Sequence, residues 1–165
     1  MSNKTNFQLV GEFNTVFGHP VNTRVQKNIF DDKPNEVNLR FNLIKEEYHE
    51  LEDGIKNKNM TEVVDALGDL LYVVYGMGQV FGLDLDEAFR RVHGSNMSKL
   101  CKNEKEAIET VEHYKTLEGF ENVETAYRPS ETVPGHFVIY NVKTGKILKS
   151  KYFELPNFSD LVERD

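Results

Sequence analysis

The sequence predicts an all-α protein: a bundle of four to five helices followed by a small C-terminal β-hairpin. Apolar residues recur at helical spacing through most of the chain up to residue 117. Residues 63–81 are apolar on nearly all sides, which is typical of a helix buried in a bundle. After residue 129 the pattern changes to short β-branched and aromatic runs separated by a glycine-containing turn, which predicts the hairpin.

The first predicted helix covers residues 6–17, and its apolar residues are spaced three, three and four apart: Phe7, Val10, Phe13 and Phe17. Gly18 and Pro20 are the residue types that end a helix. Residues 19–35 are polar and irregular, and we expect a loop there.

The second helix is predicted from about residue 35 to residue 58. Its apolar seam is expected to face the core: Val37, Phe41, Ile44, Tyr48, Leu51 and Ile55. The neighbouring line of this helix carries Glu47 and Glu50. These two residues are three positions apart and therefore point the same way, with Cβ atoms about 5–6 Å apart.

The third helix is predicted to end at Gly82, with Asn59 or Thr61 as its cap. One stripe of this apolar helix carries acids and then small or aromatic residues: Glu62, Asp65, Asp69, Tyr72 and Gly76. A buried carboxylate needs a partner, yet no Lys or Arg occurs between Lys58 and Arg90. We therefore expect a bound cation between the second and third helices.

An acid-rich set of oxygen ligands without a His/Cys cluster suits Mg²⁺, or Mn²⁺, better than Zn²⁺. Mg²⁺ keeps several waters and completes its shell with substrate phosphates, which indicates a phosphate or pyrophosphate ester as substrate. The alternative is a solvated acidic face. It is more plausible for the run 46–50 than for Asp65 and Asp69, whose helix neighbours are apolar.

A fourth helix is predicted from residue 85 to about residue 100, and a fifth from 104 to 117. The hairpin is predicted to pair residues 137–140 with 147–148 through a turn containing Gly145. An isolated hairpin is marginal in water, so it should pack on the helical body or on another subunit.

These elements predict two domains: a helical catalytic domain at residues 1–119, and a C-terminal hairpin and tail at 120–165 that packs on it. The chain carries 20 basic and 27 acidic residues, a net charge of −7, which argues against a nucleic-acid polymer as partner. The single cysteine, Cys101, fits a reducing compartment. No signal peptide is evident, and the apolar run 70–81 is too short for a membrane span, so we expect a cytoplasmic protein.

Two further positions attract attention. Asn96 and Lys99 are three apart, and Lys99 would neutralise a phosphate while Asn96 hydrogen-bonds sugar or base; the alternative is a simple helix end.

Glu46 and His49 form one Glu-x-x-His motif of carboxylate-bridged di-metal bundles. No other histidine has a Glu three residues before it, so His49 is expected on the surface.

The strings Glu46-Glu47-x-x-Glu50, Glu62-x-x-Asp65 with Asp69, Ser95-Asn96-Met97-Ser98-Lys99 and Gly145 to Ser150 carry a family resemblance. The chain resembles the all-α nucleoside triphosphate pyrophosphohydrolases, a group that contains MazG, the dimeric dUTPases and phosphoribosyl-ATP pyrophosphohydrolase. It is most similar to the last branch, from Phe13 to Leu161. One position departs from the MazG pattern: Ala66 replaces the Glu before Leu-Gly-Asp, which leaves either Glu62 or Asp65 to join Asp69.

The resemblance implies cleavage of the α–β phosphoanhydride of a nucleoside triphosphate to nucleoside monophosphate and pyrophosphate, in house-cleaning or nucleotide-pool control. It implies Mg²⁺ ligands at Glu47, Glu50, Asp65 and Asp69, with Asp65 favoured because it shares a face with Asp69. Catalytic roles are expected for Glu47 and for Glu46 or Glu62, which would position or deprotonate water. Substrate contacts are expected at four residues: Asn96, Lys99, Tyr72 and Asn14, the last two beside Phe13 and Phe17.

The very apolar third helix predicts burial between subunits, as a homodimer or homotetramer. Three alternatives remain open at the level of sequence: a phosphoribosyl-ATP pyrophosphohydrolase, a carboxylate-bridged di-metal redox bundle, and an oligomeric scaffold whose acids hold a structural cation.

Overall fold

The computed structural model describes residues 3–163 and confirms the predicted fold class. Within these residues the chain forms seven helices and one two-stranded antiparallel sheet. In chain order the elements are α1 (Asn6–Val16), α2 (Ile29–Asp32), α3 (Pro34–Lys56), α4 (Met60–Phe81), α5 (Leu85–Met97), α6 (Glu104–Lys115), β1 (Thr125–Pro129), β2 (Phe137–Asn141) and α7 (Ser159–Glu163).

The chain divides into two compact units. The first contains Met1–Ala88 together with Phe158–Asp165, and the second contains Phe89–Asn157. These bounds differ from those of the two domains expected from the sequence, at 1–119 and 120–165, and that functional division stays a prediction.

In the first unit, α1 lies against α4 through small and aromatic residues. Thr5 caps α1 with a capping box that includes Gln8. Gly11 leaves room for the buried Gln79 side chain, whose Nε2 donates a hydrogen bond to the Phe7 carbonyl at 2.8 Å. This polar bond at the α1–α4 crossing fixes where α1 sits along α4.

The packed face of α3 agrees with only half of the predicted seam: Val37, Ile44 and Leu51 are half-buried. Phe41, Tyr48 and Ile55 are 49%, 56% and 60% exposed, whereas Arg40 and Gly54 are buried. The reason lies at Gly54, where an added Cβ would stand 3.2 Å from the Glu62 Cβ and from the Val63 nitrogen. The missing side chain lets α4 approach there, so the contact is centred between the predicted seam and the neighbouring line that carries Glu47 and Gly54.

The prediction that α4 is buried on nearly all sides is also wrong for this chain taken alone. Its C-terminal end is buried, with Val80 and Phe81 in a core that includes Ile29. Nearer its N-terminus, Val64 and Leu71 are 65% and 54% exposed. The apolar character of this half is therefore an exposed surface of the chain.

The segment expected to be a loop, residues 19–35, contains the short helix α2 and caps the end of α4. The Asn22 amide donates to the Gln79 carbonyl at 2.9 Å, and the Gln26 amide donates to the Phe81 carbonyl at 2.9 Å. The Asn22 Nδ2 donates to the Val80 carbonyl at 2.6 Å. Carbonyls that the helix leaves without a partner are thus satisfied by this segment.

The second unit packs α6 against the hairpin around a buried core of five residues: Cys101, Ala107, Tyr114, Ile139 and Leu148. The tail is held at Tyr114, whose hydroxyl donates to the Lys149 carbonyl at 3.0 Å and accepts from the Lys149 amide at 3.1 Å.

The hairpin is present, but its main partner strand is not the predicted one. β2 pairs with β1, in the register Tyr127 to Ile139, and Ile147 makes only an isolated bridge to Tyr140. Pro129 lies at the end of an edge strand, where a residue without an N–H is tolerated.

By length and composition, α4 is the one helix in the described part of the chain that could cross a membrane, with a mean hydropathy of 1.2. Core helices of proteins without membrane spans meet the same criterion, and the C-terminal end of α4 lies in the core of the first unit.

Replacing Gly82 by Ala is expected to lower the free energy of unfolding by more than about 2 kcal/mol. Gly82 has a φ of +70°, and an added Cβ would stand 1.9 Å from the Arg24 carbonyl oxygen. The matched control is Gly18→Ala, at φ +73° with nothing within 4 Å, which should lose only the backbone part, about 1 kcal/mol. Chemical denaturation measures both, and equal losses would contradict the steric explanation.

Candidate active site

The site is built on the packed faces of α3 and α4, with the half-buried carboxylate of Glu47 at its centre. The Glu47 Oε2 is buried and has no hydrogen-bond partner among the described residues. Burial raises the pKa of Glu47, and the charges of four neighbouring acids raise it further: Glu50, Asp69, Glu46 and Asp65, in that order. Acids of both helices therefore act on one side chain. The buried carboxylate oxygen is on α3, whereas the sequence led us to expect buried carboxylates at Asp65 and Asp69 of α4, which are exposed.

Asp65 and Asp69 are exposed on α4 and line an open groove of about 570 Å³. Gly68 lies between them, and a Cβ added there would meet nothing within 4 Å. The groove is further lined by Met60, Thr61 and Val64. The acidic side of α4 is thus open to a ligand.

The donor set fits a hard divalent cation, because all its atoms are carboxylate oxygens and one of them is buried without a partner. Within residues 3–163, however, no three Asp, Glu, His or Cys side chains converge into a ready metal-binding group. Like charges repel, so a cation is needed to draw such carboxylates together. Glu47, Glu50, Asp65 and Asp69 would hold it.

The two other predicted catalytic acids have different positions. Glu46 is exposed on α3, and its charge reaches Glu47. Glu62 is exposed in the first turn of α4, opposite Gly54, and is not among the charges that raise the pKa of Glu47. His49 is exposed, with its Nδ1 3.8 Å from Glu52, which agrees with the expected surface position.

Two predicted substrate residues lie in the first unit. Tyr72 is 39% exposed and meets the Phe13 ring edge-on, with ring centroids 5.5 Å apart. Burial raises the pKa of the Tyr72 phenol. Asn14 is buried, and its Nδ2 donates to the Pro20 carbonyl at 3.5 Å. Asn14 is therefore held by the chain itself, whereas Tyr72 keeps an accessible edge.

The other two, Asn96 and Lys99, belong to the second unit. The Lys99 Nζ donates to the Asn96 Oδ1 at 2.7 Å, so the two side chains share one exposed surface. Neighbouring serines have a structural role: the Ser95 hydroxyl donates to the Glu154 carbonyl, and the Ser98 hydroxyl accepts from the Glu154 amide.

Sequence reasoning missed one residue, Arg40. It is 7% exposed on the packed face of α3, with its Nε 2.9 Å from Glu36. Its position, seven residues before Glu47, was the available signal, because residues seven apart lie on the same helix face.

The mostly helical fold with its small hairpin is consistent with the MazG-like all-α nucleoside triphosphate pyrophosphatase superfamily, and a family match shows that the protein belongs to this class. The sequence profile of the family described as phosphoribosyl-ATP pyrophosphohydrolase matches residues 10–96. This match covers more than half of the chain, and the chain belongs to that family. The matched range includes every carboxylate of the site and Asn96, and it ends before Lys99.

A relative is similar to nearly the whole chain. It is an uncharacterized protein, L479, of Acanthamoeba polyphaga mimivirus, 42% identical over 96% of this chain and 96% of its own length. The similarity therefore extends beyond the family match into the second unit.

Replacing Glu47 by Gln is expected to raise the melting temperature at pH 7 in buffer without divalent cations. Folding raises the pKa of this carboxyl above its ordinary 4.5, so the charged form destabilises the folded state above the folded pKa. That cost disappears below the unfolded pKa, and the gain from Gln should shrink as the pH falls towards 4.5.

The matched control is Glu52→Gln, on the same helix, where the carboxylate is exposed and 3.5 Å from the Lys56 Nζ. It should not stabilise the protein. Added Mg²⁺ should raise the melting temperature of the wild type more than that of Glu47→Gln. A gain at pH 7 no larger for Glu47→Gln than for the control would contradict the burial of this charge.

Proposed function

We propose that the protein is a Mg²⁺-dependent nucleotide pyrophosphohydrolase that cleaves the α–β phosphoanhydride of a nucleoside triphosphate. The products are the nucleoside monophosphate and pyrophosphate. The supporting observation is the partnerless, buried Oε2 of Glu47, which lies among acids of both helices in a pyrophosphohydrolase family.

Mg²⁺, or Mn²⁺, would be held by Glu47, Glu50, Asp65 and Asp69, and when bound it supplies positive charge to phosphate oxygens. Residues of the chain itself would activate the water and admit the substrate. Glu46 or Glu62 would accept the proton of the attacking water, since both are exposed carboxylates at the edge of the site. The open groove beside Asp65 and Asp69 gives a phosphate chain room to enter.

Lys99 and Asn96 would contact phosphate and sugar, and Tyr72 and Asn14 would border the nucleoside. Of these, Tyr72 has the clearest supporting geometry, because its ring is partly exposed and is held edge-on by Phe13. The biological role that fits such an enzyme is control of the nucleotide pool in the cytoplasm.

The second candidate substrate is phosphoribosyl-ATP, and the description of the matching family favours it. Both substrates are cut at the same type of bond. A panel of nucleoside triphosphates and phosphoribosyl-ATP, incubated with Mg²⁺ and analysed for monophosphate and pyrophosphate, separates the two candidates. Release from phosphoribosyl-ATP alone would establish the second candidate and contradict the first.

Replacing Asp69 by Asn, or Glu50 by Gln, is expected to reduce kcat by at least about a thousandfold and to leave the helical circular dichroism unchanged. Each change removes one carboxylate charge from the proposed cation site. The matched control is Asp53→Asn, an exposed acid of α3 with its Oδ1 3.6 Å from the Lys56 Nζ, which should keep full activity. An active Asp69→Asn variant would overturn the cation assignment.

We further propose that the exposed apolar half of α4 is covered by a second copy of the chain, as a homodimer or homotetramer. Leu67 and Leu71, which do not line the groove beside Asp65 and Asp69, are 48% and 54% exposed. An apolar surface of this extent is typical of an interface between subunits.

Leu71→Glu is therefore expected to yield a monomer in analytical ultracentrifugation, because a charge would be buried without a partner. The control is Leu155→Glu, at a residue that is 77% exposed in the second unit, which should not change the oligomeric state. A wild type that sediments as a monomer at micromolar concentration would refute this arrangement.

A further inference from the structure

The Arg40 side chain is mostly buried, at 8% exposed, and the structure gives only the Nε of its guanidinium a hydrogen-bond partner among the described residues. Its Nε is 2.9 Å from the Glu36 Oε1, while Nη1 and Nη2 make no hydrogen bond to any residue that the structure describes. A guanidinium carries five N–H donors in a planar fork. Glu36 fixes the base of this fork and leaves its two-nitrogen end free for acceptors outside the chain.

The location of this free end is set by the register of α3 on α4. Arg40 lies two turns from Glu47, about 10.5 Å along α3. On α4, Gly76 lies two turns from Asp69, and a Cβ added to Gly76 would stand 3.9 Å from the Arg40 Nη1 and from the Val10 Cγ1. The fork therefore lies at the junction of α1, α3 and α4.

Between the carboxylates and the fork lies an aromatic pair. Tyr72 follows Asp69 by about one turn of α4 and meets Phe13 of α1 edge-on, at 5.5 Å between ring centroids. Along the same helices the order is thus acids, aromatic rings and then the Arg40 guanidinium. A nucleotide has the matching order of phosphates, sugar and base.

The charge at Arg40 favours a base over a phosphate. The carboxylate of Glu36 already offsets the guanidinium and would repel an anion, and the nearby Val10 and Gly76 are apolar. A neutral ring that accepts two hydrogen bonds side by side is not repelled by Glu36 and can lie against apolar residues. Arginine makes such a bidentate contact with the O6 and N7 atoms of guanine.

We propose that Arg40 is a specificity-determining residue that binds a nucleobase edge with two adjacent acceptors. This inference rests on the proposed function, since it takes a nucleotide as substrate. The edge is O6/N7 of a 6-oxopurine such as guanine, or O2/N3 of cytosine. Adenine and uracil each offer a donor beside the acceptor and are disfavoured.

The test is kcat/KM with Mg²⁺ for GTP, CTP, ATP and UTP, in the wild type and in Arg40→Lys. Lysine keeps the charge beside Glu36 but lacks the planar fork. The wild type should prefer GTP or CTP over ATP and UTP by roughly tenfold or more, and Arg40→Lys should abolish that preference. The preferred member of the GTP and CTP pair identifies the edge.

The matched control is Arg128→Lys, because Arg128 is also paired with a Glu, 3.5 Å away, but is half-exposed. It should leave all four values unchanged. An equal loss on all four nucleotides in Arg40→Lys would show a structural or phosphate-binding role and overturn the proposal. A wild type without base preference would overturn it as well.

A second measurement does not depend on hydrolysis. Calorimetric titration of the wild type with GMP, CMP, AMP and UMP, in buffer containing EDTA, should show tighter binding of GMP or CMP, and Arg40→Lys should lose it. Selective binding without turnover would sustain the role of Arg40 and refute the proposed reaction. Turnover together with equal affinity for all four monophosphates would support the proposed reaction and refute the role of Arg40. Because both outcomes are read from the wild type, the test remains decisive even if Arg40→Lys fails to fold.

Discussion

The burial of one carboxylate between two helices is the constraint on which the rest of the structure depends. Gly54 lets α4 approach α3, and two turns earlier on α3 the same face places Glu47 beside the acids of α4. The Glu47 Oε2 has lost its water without gaining a hydrogen bond within the described chain. Such an arrangement is unfavourable in isolation, and proteins keep local conflicts of this kind where function needs them.

That cost is tolerable because α4 is fixed at its other end. Val80 and Phe81 lie in the core of the first unit, and the segment around Asn22 satisfies the carbonyls at the helix terminus. Gly82 then turns the chain in the left-handed conformation. The helix is therefore anchored at its C-terminal end and carries its acids on a body that packing holds in place, which is how precise sites are built.

The type and approximate ends of the five longer helices could be read from the sequence, because local signals determine them, whereas the short helices α2 and α7 were not predicted. Gly82 ends α4, and Asn59 caps it by accepting from the Thr61 and Glu62 amides. The rotation of α3 could not be read in this way. Two neighbouring stripes of that helix are both apolar enough to face a core, and the choice between them is made by the close approach at Gly54, a tertiary fact.

The hairpin shows the same limit. The run around Ile139 is a strand, as its composition predicts. Whether this strand pairs with the segment around Tyr127 or with the segment around Ile147 is decided by contacts between residues distant in sequence. Pro129 is compatible with the observed pairing, because a proline at the end of an edge strand removes no ladder bond. Arg40 was missed for a related reason: a lone arginine in a polar helix resembles a surface residue until its burial is known.

The register of the two helices bears on the choice between Glu62 and Asp65. α3 and α4 are antiparallel neighbours: Gly54 faces Glu62, and Gly76 faces Arg40. Glu47 is midway between Arg40 and Gly54, and the matching level of α4 is midway between Gly76 and Glu62, at Asp69. Asp65 is one turn from Asp69 and raises the pKa of Glu47, whereas Glu62 is a further turn away and does not. We therefore propose Asp65 as the partner of Asp69 at the cation, with Glu62 acting on water at the rim.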